Sequence, residues 1–109
     1  MADLDRINEL VGNKEFEEVL PLILEGLRES PDNMELVKLA GLTNVNLKKW
    51  IQARNYFETV VKFNPEDATS WLYLANCNEQ LGDLSSAKSA YISVINLREE
   101  YMEAYKSLC

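Results

Sequence analysis

The side chains that do most enzymatic chemistry are missing from this chain or scattered along it. Its 109 residues include no histidine, which removes the commonest general base and the commonest metal ligand together. Ser-His-Asp and Cys-His nucleophile systems are excluded. The two cysteines, Cys77 and Cys109, lie far apart and form no CxxC pair, so the sequence offers no zinc site. Two cysteines do not staple a secreted disulfide scaffold either, and a reducing, cytoplasmic setting is the resulting expectation. Cys77 lies among apolar neighbours in a helical pattern and reads as a small core filler, not a reactive thiol. Eighteen Asp and Glu against eleven Lys and Arg give a net charge of -7, which opposes binding to a nucleic-acid backbone. No nucleophile–base pair or metal constellation can be assembled. The sequence therefore reads as a non-enzyme with no cofactor.

What remains is a chain built to pack. It is 47% hydrophobic, long enough for one domain with a core and too apolar for a disordered segment. No stretch approaches the roughly 20 apolar residues of a membrane span, and charges run through the first thirty residues, so neither a span nor a secretory signal is expected.

Three segments align at one period, 34. Phe16, Trp50 and Leu84 recur at that spacing, as do Val19, Ala53 and Ala87, and Ile23, Phe57 and Tyr91. Pro31 and Pro65 keep it too, with Glu99 in the third place. The repeats run 1–33, 34–67 and 68–101, and residues 102–109 begin a fourth copy.

Each repeat reads as two helices. Trp71, Leu74, Ala75 and Asn78 share one face by i, i+3, i+4, i+7 spacing. Gly82 stops that helix, because glycine accepts the left-handed conformation of a helix end. Ala87, Tyr91, Val94 and Ile95 form the apolar face of the next. Ser30-Pro31 and Asn64-Pro65 end second helices, since proline disfavours helical backbone in the residue before it. Pro21 is expected in a first turn, where no N–H partner is lost. The pattern predicts helices near 3–12, 16–29, 34–46, 50–63, 68–81, 84–97 and 102–109.

A helix–turn–helix unit of this period with W-x2-L-[GA], then A-x3-[FY], then Pro resembles the tetratricopeptide repeat. The third copy carries Trp71, Leu74, Ala75, Gly82, Ala87 and Tyr91. The second carries Gly41, Ala53, Phe57 and Pro65, and the first keeps Phe16 and Pro31. Val19 and Ile23 replace the small and aromatic residues of the first copy. Asn44 and Asn78 replace aromatics, and Asp3 and Val37 stand in the register of Trp71. The resemblance spans the whole chain and implies an all-α, right-handed superhelical solenoid of about seven antiparallel helices. Small Gly41, Ala53, Ala75 and Ala87 would let backbones approach, with Trp50, Phe57, Trp71 and Tyr91 filling the gaps between them.

The resemblance also implies a protein-interaction scaffold whose first helices line a concave groove for a peptide or protein segment. Projecting the family's groove positions gives Leu4, Asn8 and Val11 from the first repeat. The second supplies Glu35, Lys38, Leu42, Val45 and Asn46. The third supplies Thr69, Leu72, Asn76, Glu79 and Gln80, with Glu103 and Lys106 at the far end. Leu4, Leu42, Val45 and Leu72 are apolar yet off the core stripe, as side-chain pockets require. Asn8, Asn76 and Gln80 pair donors with acceptors for a peptide backbone. One subfamily clamps the acidic tails of heat-shock chaperones with converging cations. Leu4, Tyr73, Glu103 and Ser107 stand where such cations would be useful, so no clamp is expected. The competing reading is self-association. The fourth copy has one helix only, so the chain reads as a piece of a longer array in which Tyr105 and Leu108 leave an apolar side for a homodimer, with Cys109 placed to crosslink it. A related RNA-reading repeat has a period of 35 and favours basic grooves, and neither fits.

Overall fold

The computed structural model describes the backbone of residues 4–108 and the side chains of residues 4–99. The described residues form six helices and no strand: α1 (Leu4–Gly12), α2 (Phe16–Glu29), α3 (Met34–Asn46), α4 (Trp50–Phe63), α5 (Ala68–Gln80) and α6 (Leu84–Leu108). Each packs chiefly on its neighbours in the chain, and α3 also approaches α5. This is solenoid stacking. The radius of gyration, 15.2 Å, exceeds the about 13 Å of a compact 100-residue domain.

The turn inside each repeat has one geometry. Lys14, Lys48 and Gly82, each one repeat period from the next, take φ of 61°, 61° and 81°. After each, an N–H reaches back five residues, from Glu15 to Leu10, Lys49 to Asn44 and Asp83 to Asn78, at 2.8–2.9 Å. This is a Schellman closure, expected at Gly82 and achieved by lysine twice. The starts of α3, α5 and α6 are capped by carboxylate or amide oxygens. Asn33 accepts from Leu36 N–H at 3.3 Å, Asp67 from Ser70 N–H at 3.1 Å and Asp83 from Ser86 N–H at 3.1 Å.

Two clusters carry the core. Ile7, Leu10, Val19, Ile23, Leu36 and Ala40 pack α1 to α3. Ala53, Phe57, Val61, Leu74 and Cys77 pack α4 and α5. Gly41 joins them, because a Cβ placed there would meet Phe57 Cε2 at 2.8 Å. Ala53, Ala75 and Ala87 are buried as expected, and so is Phe57, whereas Trp50, Trp71 and Tyr91 are half-buried. Cys77 is fully buried, and burial pushes its thiol up to about 11, which makes it inert. Asn44, in an aromatic's register, is buried and satisfied by donating Nδ2 to Ala40 O at 2.7 Å.

Three expectations change. The separate helix at 102–109 is instead the far end of α6, which runs 25 residues. Its side chains, with those of Glu103, Tyr105, Lys106, Ser107 and Leu108, lie outside the described residues, as do Asp3 and Cys109. Glu99 replaces the proline that ends the earlier second helices, so nothing breaks the third. Pro21 is inside α2, past its first turn, so Glu17 O lacks the N–H it would otherwise receive. Ile95 is 55% exposed, not core. Its counterpart Val61 is covered by Leu74 and Cys77 of α5, and among the described residues no helix follows α6 to cover Ile95.

Candidate peptide-binding groove

A cavity of about 460 Å³ opens between α3 and α5. Glu35, Lys38 and Leu42 form one wall, Thr69 and Tyr73 the other, and Phe57 of α4 reaches it from below. The register explains the arrangement: Glu35 and Thr69 are one repeat period apart, so successive first helices turn the same face inward. Tyr73 stacks on Phe57 with centroids 5.1 Å apart and planes 14° apart, which fixes one aromatic wall. Ser70 also lines the cavity, with its side chain buried beside Asp67.

Lys38 is not a free cation. Its Nζ lies 2.6 Å from Asp67 Oδ2, and Asp67 also caps α5. Burial alone would raise the Asp67 carboxyl, but the Lys38 ammonium and the Ser70 N–H outweigh it and hold the carboxyl below the usual carboxylate range. The cavity therefore offers apolar and aromatic walls with a neutralised pair at the edge. That chemistry accepts an apolar side chain better than a cluster of carboxylates.

Of the residues projected from sequence, Lys38 and Leu42 line the cavity, as do Glu35 and Thr69. The other nine of the main set do not. Leu4 and Val11 pack, half-buried, on the first core, and Asn8 of α1 is exposed. Val45 packs on the second core, and Asn46 turns its Nδ2 back to Leu42 O at 2.9 Å. Leu72 is half-buried and Gln80 exposed. Asn76 accepts from the Tyr91 hydroxyl at 3.2 Å, and that hydroxyl's pKa is raised by its hydrogen bond with Glu79. Leu72 and Asn76 hold on α5 the places of Lys38 and Leu42 on α3. A facing wall would need another first helix, and α6 runs straight on instead. Sequence reasoning missed Tyr73 and Phe57 as cavity walls. Tyr73 had a signal: it stands one repeat period beyond Leu39, an apolar neighbour of the groove positions.

Among the described residues no group of three or more His, Cys, Asp or Glu could hold a metal ion. No described helix is long and apolar enough to cross a membrane. The described helices form stacked helix pairs, a fold of the tetratricopeptide-repeat type. No protein-family profile and no curated protein matches it in sequence. Solved structures do match in fold. MamA residues 41-end from Desulfovibrio magneticus RS-1 superposes with TM-score 0.82 at 18% identity, covering 89% of this chain and 55% of that one. MamA AMB-1 gives TM-score 0.77 at 23% identity, covering 83% and 53%. The second TPR of Spaghetti (RPAP3), bound to the HSP90 peptide SRMEEVD, gives TM-score 0.79 at 17% identity, covering 85% and 86%. The chain spans about half the length of the MamA structures it matches.

Proposed function

We propose that the chain is a protein-interaction scaffold and that the cavity between α3 and α5 receives an apolar side chain of a partner segment. The observation that carries this reading is the cavity itself, apolar at Leu42, Tyr73 and Phe57. The likeness to a TPR bound to an HSP90 peptide supports a peptide-sized occupant. It does not bring that acidic peptide here, because Lys38 is already committed to Asp67. The test is selection of peptides from a displayed library on the wild-type protein, followed by two variants. Leu42→Glu is expected to weaken the selected peptides about tenfold or more with unchanged circular dichroism, while Leu72→Glu, outside the cavity, leaves them bound. Equal binding by Leu42→Glu would move the working surface elsewhere.

A second reading, self-association, has its own observation. Ile92 and Ile95 of α6 are 46% and 55% exposed, and Ile95 holds the place that α5 covers at Val61. Sedimentation of wild type and Ile95→Glu decides it. A dimer lost in the variant supports the reading, and a monomeric wild type removes it.

A further inference from the structure

A larger opening lies across the array from that cavity, between α2 and α4. Its volume is about 650 Å³, and its walls are Pro21, Leu24, Leu27, Pro31, Val37 and Tyr56. The repeat register shows why it is open. One period on, Val37 becomes Trp71, Leu27 becomes Val61 and Pro31 becomes Pro65. At that later junction Trp71 packs on the core that contains Val61, and its Nε1 donates to Pro65 O at 2.8 Å. The cleft left there is polar, faced by Ser85, Ser86, Ser89 and Ser93. At the earlier junction the ring is absent. The walls are also more apolar, since Pro21 and Leu24 stand where Asn55 and Glu58 stand one repeat later. Leu24 is 39% exposed at the mouth.

We propose that this pocket docks a tryptophan side chain of a partner segment that carries Lys or Arg beside it. The incoming indole takes the place that Trp71 holds one repeat later, with its N–H directed to the Pro31 carbonyl as Trp71 is to Pro65. Arg28, on the wall, adds a cation for the ring face. The basic flank follows from charge. Helix α2 carries Glu17, Glu18, Glu25 and Glu29 against Arg28, and residues 1–33 hold nine acids and three bases. Such a surface selects partners of opposite sign.

The probe is the capped peptide Lys-Arg-Trp-Arg-Lys, titrated into the ¹⁵N-labelled chain, with the tryptophan replaced by alanine as the control. Saturable amide shifts are expected around Leu24, Val37 and Thr59, with the alanine peptide about tenfold weaker or more. Val37→Trp fills the pocket from within and is expected to weaken the peptide by a similar factor. Should that variant fail to fold, Leu24→Lys at the exposed mouth carries the same expectation, with helical circular dichroism retained. The proposal is overturned by equal affinity for the two peptides, by shifts confined to the α3–α5 cavity, or by wild-type binding in a folded variant. A free protein found as a dimer with Leu24 and Tyr56 covered also overturns it.

Discussion

Lys14 and Lys48 carry a cost that Gly82 does not. All three sit at the left-handed turn of their repeats, where a Cβ crowds the following carbonyl by about 1–2 kcal/mol. Glycine avoids this but loses more chain entropy on folding, so Lys14→Gly and Lys48→Gly are each expected to stabilise by about 0.5–1 kcal/mol. Urea denaturation with an unchanged slope checks it, and a loss of stability would show that the lysine side chains hold the turn. Asp67 joins two tasks, capping α5 and pairing with Lys38. Asparagine keeps the cap and drops the charge. Because the folded carboxyl lies below its ordinary 3.8, the pair stabilises the fold above that value and is lost as pH falls through the lowered one. Asp67→Asn is therefore expected to cost about 1 kcal/mol or less near neutral pH, with the gap from wild type closing under acid. A gap that persists once the wild-type carboxyl is protonated would assign the effect to packing.

At the scale of the helix, one substitution separates α6 from α2 and α4. Glu99 stands in the register of Pro31 and Pro65, and α6 continues to Leu108. Glu99→Pro removes an internal hydrogen bond and clashes with the preceding turn, at a cost of about 3 kcal/mol to a continuous helix. Amide exchange is expected to show protection retained through Val94 and lost past Arg98, and unchanged protection to Leu108 would refute the assignment. The period, the paired helices and the small residues at Gly41, Ala53, Ala75 and Ala87 were legible from sequence because they repeat. The merged last helix was not, because the repeat period continues across Glu99 although the proline that enforces the break is gone. The same holds for the candidate groove. Lys38 and Leu42 followed from phase. The engagement of Lys38 by Asp67, and of Asn46 by its own helix, depends on side-chain geometry that phase does not contain. Val37 was legible as a missing tryptophan, and the structure adds the pocket left behind.

For the molecule as a whole, near-neighbour packing makes stability local. The first core belongs to α1, α2 and α3, and the second to α4 and α5. They meet where Phe57 presses on Gly41. A truncation inside one core should then act differently from one at the junction. Ile23→Ala removes a fully buried side chain from the first core and is expected to cost about 2–5 kcal/mol. In a stacked array that loss falls on the nearest repeat, so amides of α1 and α2 should exchange faster while those of α5 hold near wild-type protection. Phe57→Ala, expected to cost about 3–5 kcal/mol, removes one of the contacts that couple the two halves, beside those of Val45 and Tyr56. It should lower protection in α3, α4 and α5 together and separate the unfolding of the N-terminal helices from the rest. Native-state hydrogen exchange on both variants measures this directly. Uniform loss of protection in both would mean that the array unfolds as a single cooperative unit and that the junction is no weaker than the cores it joins.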